Sequence, residues 1–109
     1  MSAKEIEVPS IDAGLGPCTV DFTVTDSQRK PIYNAKISVR IKYGFLGLRR
    51  IDLEIGTNSN GKARFTGLPE AAKKPPLEFV TRYRKWTDTV WYWPAVSCHK
   101  EYAVELGSK

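Results

Sequence analysis

From Cys18 onward the chain returns again and again to a strict two-residue rhythm. In CTVDFTVTD, Val20, Phe22 and Val24 alternate with Thr19, Asp21, Thr23 and Thr25, which places the apolar side chains on one face of an extended strand. The alternation resumes from Ala35 with Ile37, Val39 and Ile41 against Lys36, Ser38, Arg40 and Lys42. It recurs in Ile51, Leu53 and Ile55, then in a short stretch carrying Ala63 and Phe65. LEFVTRYRKW sets Leu77, Phe79, Thr81 and Tyr83 against Glu78, Val80, Arg82 and Arg84; TDTVWYWP follows as an aromatic strand ended by Pro94, and HKEYAVEL closes the series with Tyr102, Val104 and Leu106. Turn signals separate these runs: DSQRKP, the glycines 44 and 47, and TNSNG, whose Asn and Gly tolerate positive φ. Seven short strands spaced in this way predict an all-β, single-domain sandwich or barrel, with at most one helical turn in PEAAKK after Pro69.

The length agrees. With 109 residues, a second core of roughly 50 residues has no room beside the first. Residues 1–17 hold Pro9, Gly14, Gly16 and Pro17 without periodicity and read as a flexible tail, residues 18–107 as the domain, and 108–109 as a C-terminal tail. No apolar run approaches the roughly 18 residues of a spanning helix, and MSAKEIEVPS carries no signal-peptide stretch. Two cysteines and one histidine are too few for a zinc site. Cys18 and Cys98 leave two readings open: a bridge in an oxidising compartment, or two thiols in a reducing one.

Two stretches go beyond generic strand patterning. VTDSQRKPIYNAKISV (residues 24–39) and TNSNGKARFTGLP (residues 57–69) resemble the carboxypeptidase regulatory-like, or transthyretin-like, group of Greek-key sandwiches. The first resembles that group's opening hairpin, in which a strand ends at an Asp and a Pro-Ile-x-Asn-Ala step starts the next. The second resembles its Thr-Asn-x-Asn-Gly turn leading to Phe and Leu-Pro. The resemblance implies that the first and last strands lie side by side and parallel, which favours a Cys18–Cys98 bridge and, with it, an extracytoplasmic or cell-surface setting.

The enzymatic relatives of that group do not carry over. Hydroxyisourate hydrolases use more than one histidine and a C-terminal Tyr-Arg-Gly-Ser, whereas this sequence has one histidine and ends ELGSK. Intradiol dioxygenases hold iron with two Tyr and two His, which a single histidine cannot supply. Cys98 beside His99 is the only hint of a nucleophile and base, and neighbours on a strand point to opposite faces. In residues 58–61, a calcium loop would need carboxylates that are absent. The expectation is no catalytic residue, no metal and no cofactor.

What remains is a non-enzymatic interaction or architectural module, accessory to a larger surface or secreted system, and the question is which surface it presents. All three tryptophans fall within eight residues: Trp86, Trp91 and Trp93, beside Arg82 and Arg84. Alternation puts Trp91 and Trp93 on one face and Tyr92 on the other, so the rings cannot all be buried together. Aromatic rings flanked by cations suit a protein partner first, a glycan second and single-stranded nucleic acid last, although core filling by one or two of the rings is the competing explanation. Phe45 and Leu46, between Gly44 and Gly47, are a second candidate contact; alternatively Tyr43 and Phe45 extend the buried face of the preceding strand.

Overall fold

The computed structural model describes residues 8–71 and 76–107. Its strands are β1 (Ser10–Asp12), β2 (Cys18–Thr25), β3 (Lys36–Tyr43), β4 (Arg49–Gly56), β5 (Lys62–Leu68), β6 (Leu77–Tyr83), β7 (Trp86–Tyr92) and β8 (His99–Glu105). They form two four-stranded sheets, ordered β1-β5-β2-β8 and β4-β3-β6-β7, and the all-β sandwich is thereby established. Among the described residues there are eight strands, one more than the seven expected. The added strand, β1, comes from the stretch read as a tail: it pairs in parallel with β5, Ile11 opposite Phe65. A three-residue strand with one apolar side chain is too short to show a period. PEAAKK, the expected helical turn, extends into residues 72–75, outside the described residues. The helical turn that is described lies at Phe45–Gly47.

Between the sheets, β2 contributes Val20, Phe22 and Val24, β5 Ala63, Phe65 and Leu68, β3 Ile37, Val39 and Ile41, and β6 Leu77 and Phe79. Within β2, β3 and β6 each set is every second residue, because successive side chains point to opposite faces; in β5 the step from Phe65 to Leu68 is three, where the register with β2 shifts between Cys18 and Val20. Phe79 meets Phe22 at 5.2 Å and Phe65 at 5.0 Å between ring centroids, fastening the sheets at mid-thickness with edge and tilted contacts worth about 1 kcal/mol each beyond area burial. Tyr92 and Tyr102 extend the cluster, their rings 6.4 Å apart and near perpendicular.

The two stretches singled out in the sequence are bonded to each other. Thr57 is buried; its Oγ1 accepts the amide of Ala35 at 2.9 Å and donates to the carbonyl of Ile32 at 2.6 Å. Those two backbone groups flank the step that turns the chain from β2 into β3. Gly61 takes φ 75° and a Cβ there would collide with the Val24 carbonyl, so the β4–β5 turn can lie against the end of β2 only with glycine in that place. Asn58 Oδ1 accepts the amides of Asn60 and Lys62, an Asx-type turn.

β2 and β8 run parallel, with Thr19 opposite His99. That register brings Cys18 opposite Cys98, and they form a disulfide with α-carbons 4.6 Å apart, inside the usual range for a bridge.

Candidate functional site: the outer face of the second sheet

The outward residues of β4-β3-β6-β7 lie in lateral rows fixed by register. One row runs Glu54, Ser38, Val80, Thr89; the next, toward the N-terminal end of β3, runs Gly56, Lys36, Arg82, Thr87. On the other side Asp52 is opposite Arg40, and Glu78 is opposite Trp91. Ser38 and Val80 are small and half-buried, while Arg40, Lys42, Glu54, Glu78 and Arg82 around them are long and exposed. Short side chains between long ones leave a trough of about 570 Å³.

The trough's charges are mixed. Arg40 Nε donates to Asp52 Oδ1 at 2.7 Å, and Arg50 stands 3.9 Å from the other carboxylate oxygen. Trp91 Nε1 donates to Glu78 Oε2 at 3.2 Å, so the indole is held beside the trough with half its surface in solvent. Exposed ion pairs of this kind add little stability, about 0–1 kcal/mol each. Their effect is to present alternating donors and acceptors around an aromatic side chain.

The residues expected to form one contact surface occupy three places. Trp91 and Arg82 are on the outer face, and Trp93 is half-exposed just past the end of β7. Trp86 has the opposite orientation. The sequence pattern predicts a strand ending at Trp86, but the reversal falls earlier, at Arg84 and Lys85, and Trp86 opens β7 opposite Tyr83. Its inward ring packs against the core and against Gly107. The turn carries no Gly or Asn to announce it; Arg84 itself takes φ 57° and lies over the Tyr83 ring at 5.1 Å. Tyr83, Arg84 and Trp86, with Asp26, Gln28 and Tyr33, border a second depression of about 390 Å³ at that end of the sandwich. Phe45 and Leu46 are exposed at the far end, so Phe45 does not extend the buried face of β3.

His99 opens β8 in the first sheet, exposed, and Cys98 is held in the disulfide and has no thiol. Among the described residues no group of three or more His, Cys, Asp or Glu is placed to hold a metal ion. Burial pushes the Tyr92 hydroxyl above its ordinary pKa, with a smaller contribution from Tyr102, and burial likewise raises Tyr102. Both hydroxyls donate to main-chain carbonyls, Tyr92 to Ser97 at 2.7 Å and Tyr102 to Trp91 at 3.1 Å. The first binds the β7–β8 connection to β7, and the second joins β8 of one sheet to β7 of the other.

The trough was hidden in the sequence because it depends on which residues of β3 and β6 stand side by side. The Glu78–Trp91 bond depends equally on the pairing of β6 with β7. Only the alternation of long charged residues with Ser38 and Val80 hinted at either.

No family model matches the chain, and no curated protein matches it in sequence. Solved structures share the fold. BcpA, the major pilin subunit of Bacillus cereus, superposes with a TM-score of 0.57 at 10% identity over 86% of this chain and 31% of that one. Catechol 1,2-dioxygenase from Pseudomonas arvilla C-1 does so with 0.59 at 10% identity, over 97% and 60%. 3-Chlorocatechol 1,2-dioxygenase from Rhodococcus opacus 1CP gives 0.55 at 14%, over 94% and 64%. The chain thus spans between about a third and somewhat under two thirds of these proteins, and identities this low are evidence of a common β-sandwich alone.

Proposed function

We propose that this domain is a non-enzymatic interaction module of an extracytoplasmic or cell-surface system, and that it binds a protein partner through the outer face of β4-β3-β6-β7. The observation that carries the reading is Trp91: a half-exposed indole fixed by Glu78 at the rim of a trough bordered by Arg40, Asp52, Glu54 and Arg82. Aromatic anchors beside arginine are where binding energy concentrates in protein interfaces, and interspersed charges of both signs set register and reject wrong partners. A polyanion would call instead for a one-sign stripe. The disulfide supports an oxidising setting. The pilin likeness is compatible with a structural role at a surface, and the hydrogen bonds joining residues 24–39 to 57–69 give a physical basis for the carboxypeptidase regulatory-like resemblance.

The test compares the wild type with Trp91→Ala and Arg82→Ala as baits for partners from the source cell surface. Neither side chain is in the core, so both variants keep the wild-type melting temperature. A partner bound by the wild type and weakened roughly 30-fold by Trp91→Ala supports the reading. A partner bound equally by both variants overturns it. Tryptophan emission titrated with a glycan panel decides the alternative, since a saturable shift that Trp91→Ala abolishes makes the domain a carbohydrate-binding module.

A further inference from the structure

We infer that the β3–β4 hairpin tip is a docking element for an anionic lipid bilayer, at a site that adjoins the outer face at Lys42 and needs no partner bound there. The tip is Gly44-Phe45-Leu46-Gly47-Leu48. Phe45, Leu46 and Leu48 are 80%, 73% and 78% exposed, and the turn that carries them buries no residue. The hairpin also projects. Pairing of β3 with β6 ends at Val39 opposite Phe79, while pairing with β4 continues to Tyr43 opposite Arg49.

Its backbone is held in a form that a loop with no task beyond connection would avoid. Gly44 and Gly47 take φ 83° and 66°, and between them Leu46 takes φ 60°, a conformation unfavourable for a bulky side chain. Polar residues, with Asn or Gly in place of Leu46, would close this turn at lower cost. Three large apolar side chains displayed on a strained turn gain nothing from the fold itself; they gain from a second apolar phase.

The charges identify that phase. Lys42, Arg49 and Arg50 lie at the base of the tip, all exposed. Among the described residues Lys42 and Arg49 have no carboxylate in ion-pair contact, and Arg50 approaches only Asp52, which Arg40 already engages. Apolar side chains leading and cations behind is the arrangement that places rings and leucines at the acyl boundary and ammonium and guanidinium groups among anionic headgroups. The β7–β8 connection at the same end of the sandwich adds exposed Trp93 and Val96, with Glu70 as the described carboxylate on the β5–β6 side. A second copy of this chain fits poorly, because tip-to-tip contact would bring the two sets of cations together.

Flotation with phosphatidylcholine vesicles containing phosphatidylserine, against phosphatidylcholine alone, tests the assignment. The wild type is expected to float with the anionic vesicles. Phe45→Ser with Leu46→Ser should weaken binding at least tenfold, and Lys42→Ser with Arg49→Ser roughly fivefold per cation, about 25-fold together. Thermal melts of both pairs should match the wild type. As a readout free of these deletions, Phe45→Trp places a fluorophore at the tip, and its emission should shift to the blue on anionic vesicles. Absence of flotation, an unshifted Phe45→Trp spectrum, or binding that survives loss of Phe45 and Leu46 overturns the proposal. So does equal binding of the wild type and the Phe45/Leu46 variant to heparin with no binding to vesicles, which would assign the cations to a soluble polyanion.

Discussion

Reduction of the disulfide tests the architecture most directly, because the bridge joins the first long strand to the last. Cys18 and Cys98 are 80 residues apart in sequence, so in the unfolded chain the bond closes nearly the whole domain into one loop. The chain-entropy relation puts the lost freedom at about 4.5 kcal/mol at 25 °C. In a domain of 109 residues that corresponds to a fall in melting temperature of about 20 °C. Urea unfolding with and without reductant, monitored by tryptophan fluorescence, measures it: the midpoint should fall and the slope rise, as the unfolded state loses its constraint and exposes more surface. Cys18 is fully buried, so reduction in native buffer should be slow and should speed up sharply near the transition. Cys18→Ala with Cys98→Ala should reproduce the reduced midpoint within the cost of one small cavity. A difference below about 1 kcal/mol between oxidised and reduced protein would refute the reasoning, because it would mean that the ends of β2 and β8 stay together in the unfolded chain without the bond.

Two threonines should respond in opposite directions to the same substitution. Thr57→Val leaves the Ala35 amide and Ile32 carbonyl without their partner and should cost about 3 kcal/mol in urea unfolding. Thr81 is equally buried, but among the described residues its hydroxyl has no partner, so Thr81→Val should stabilise by roughly 1 kcal/mol. Stability should also fall at alkaline pH. The folded-state pKa of Tyr92 is raised, first by burial and then by Tyr102, so its contribution is intact below the ordinary value of 10.0 and is lost as pH rises through the higher folded value. Melting temperature against pH, with Tyr92→Phe flattening the alkaline limb, checks this. Arg84→Gly relieves φ 57° in the β6–β7 turn at the loss of the Tyr83 contact, and calorimetry should show a net gain of about 0.5–1 kcal/mol.

The strands were legible wherever alternation ran long enough to show a period. Val20, Phe22 and Val24, or Leu77, Phe79 and Thr81, announce both a strand and its buried face, because side-chain direction in a strand is a local property of the backbone. Asn60-Gly61 announced its turn for the same reason. The β6–β7 turn did not, since Arg84 adopts its positive φ under the pairing of two strands. Trp86 therefore changed both strand and face, passing from the expected contact surface to the edge of the core.

By itself, then, the sequence determined the all-β class, the inward residues of each long strand, the turns marked by Asn and Gly, and the shortage of metal ligands. These follow from residue type and spacing along the chain. The family resemblance in the sequence implied the parallel first and last strands and the Cys18–Cys98 bridge, and the structure bears both out; the tertiary structure alone decided the addition of β1, the trough beside Trp91, and the separation of Trp91, Trp86 and Phe45 among three places. All of these depend on which strand lies beside which, and that neighbourhood is settled by packing two sheets around one core rather than by any local pattern.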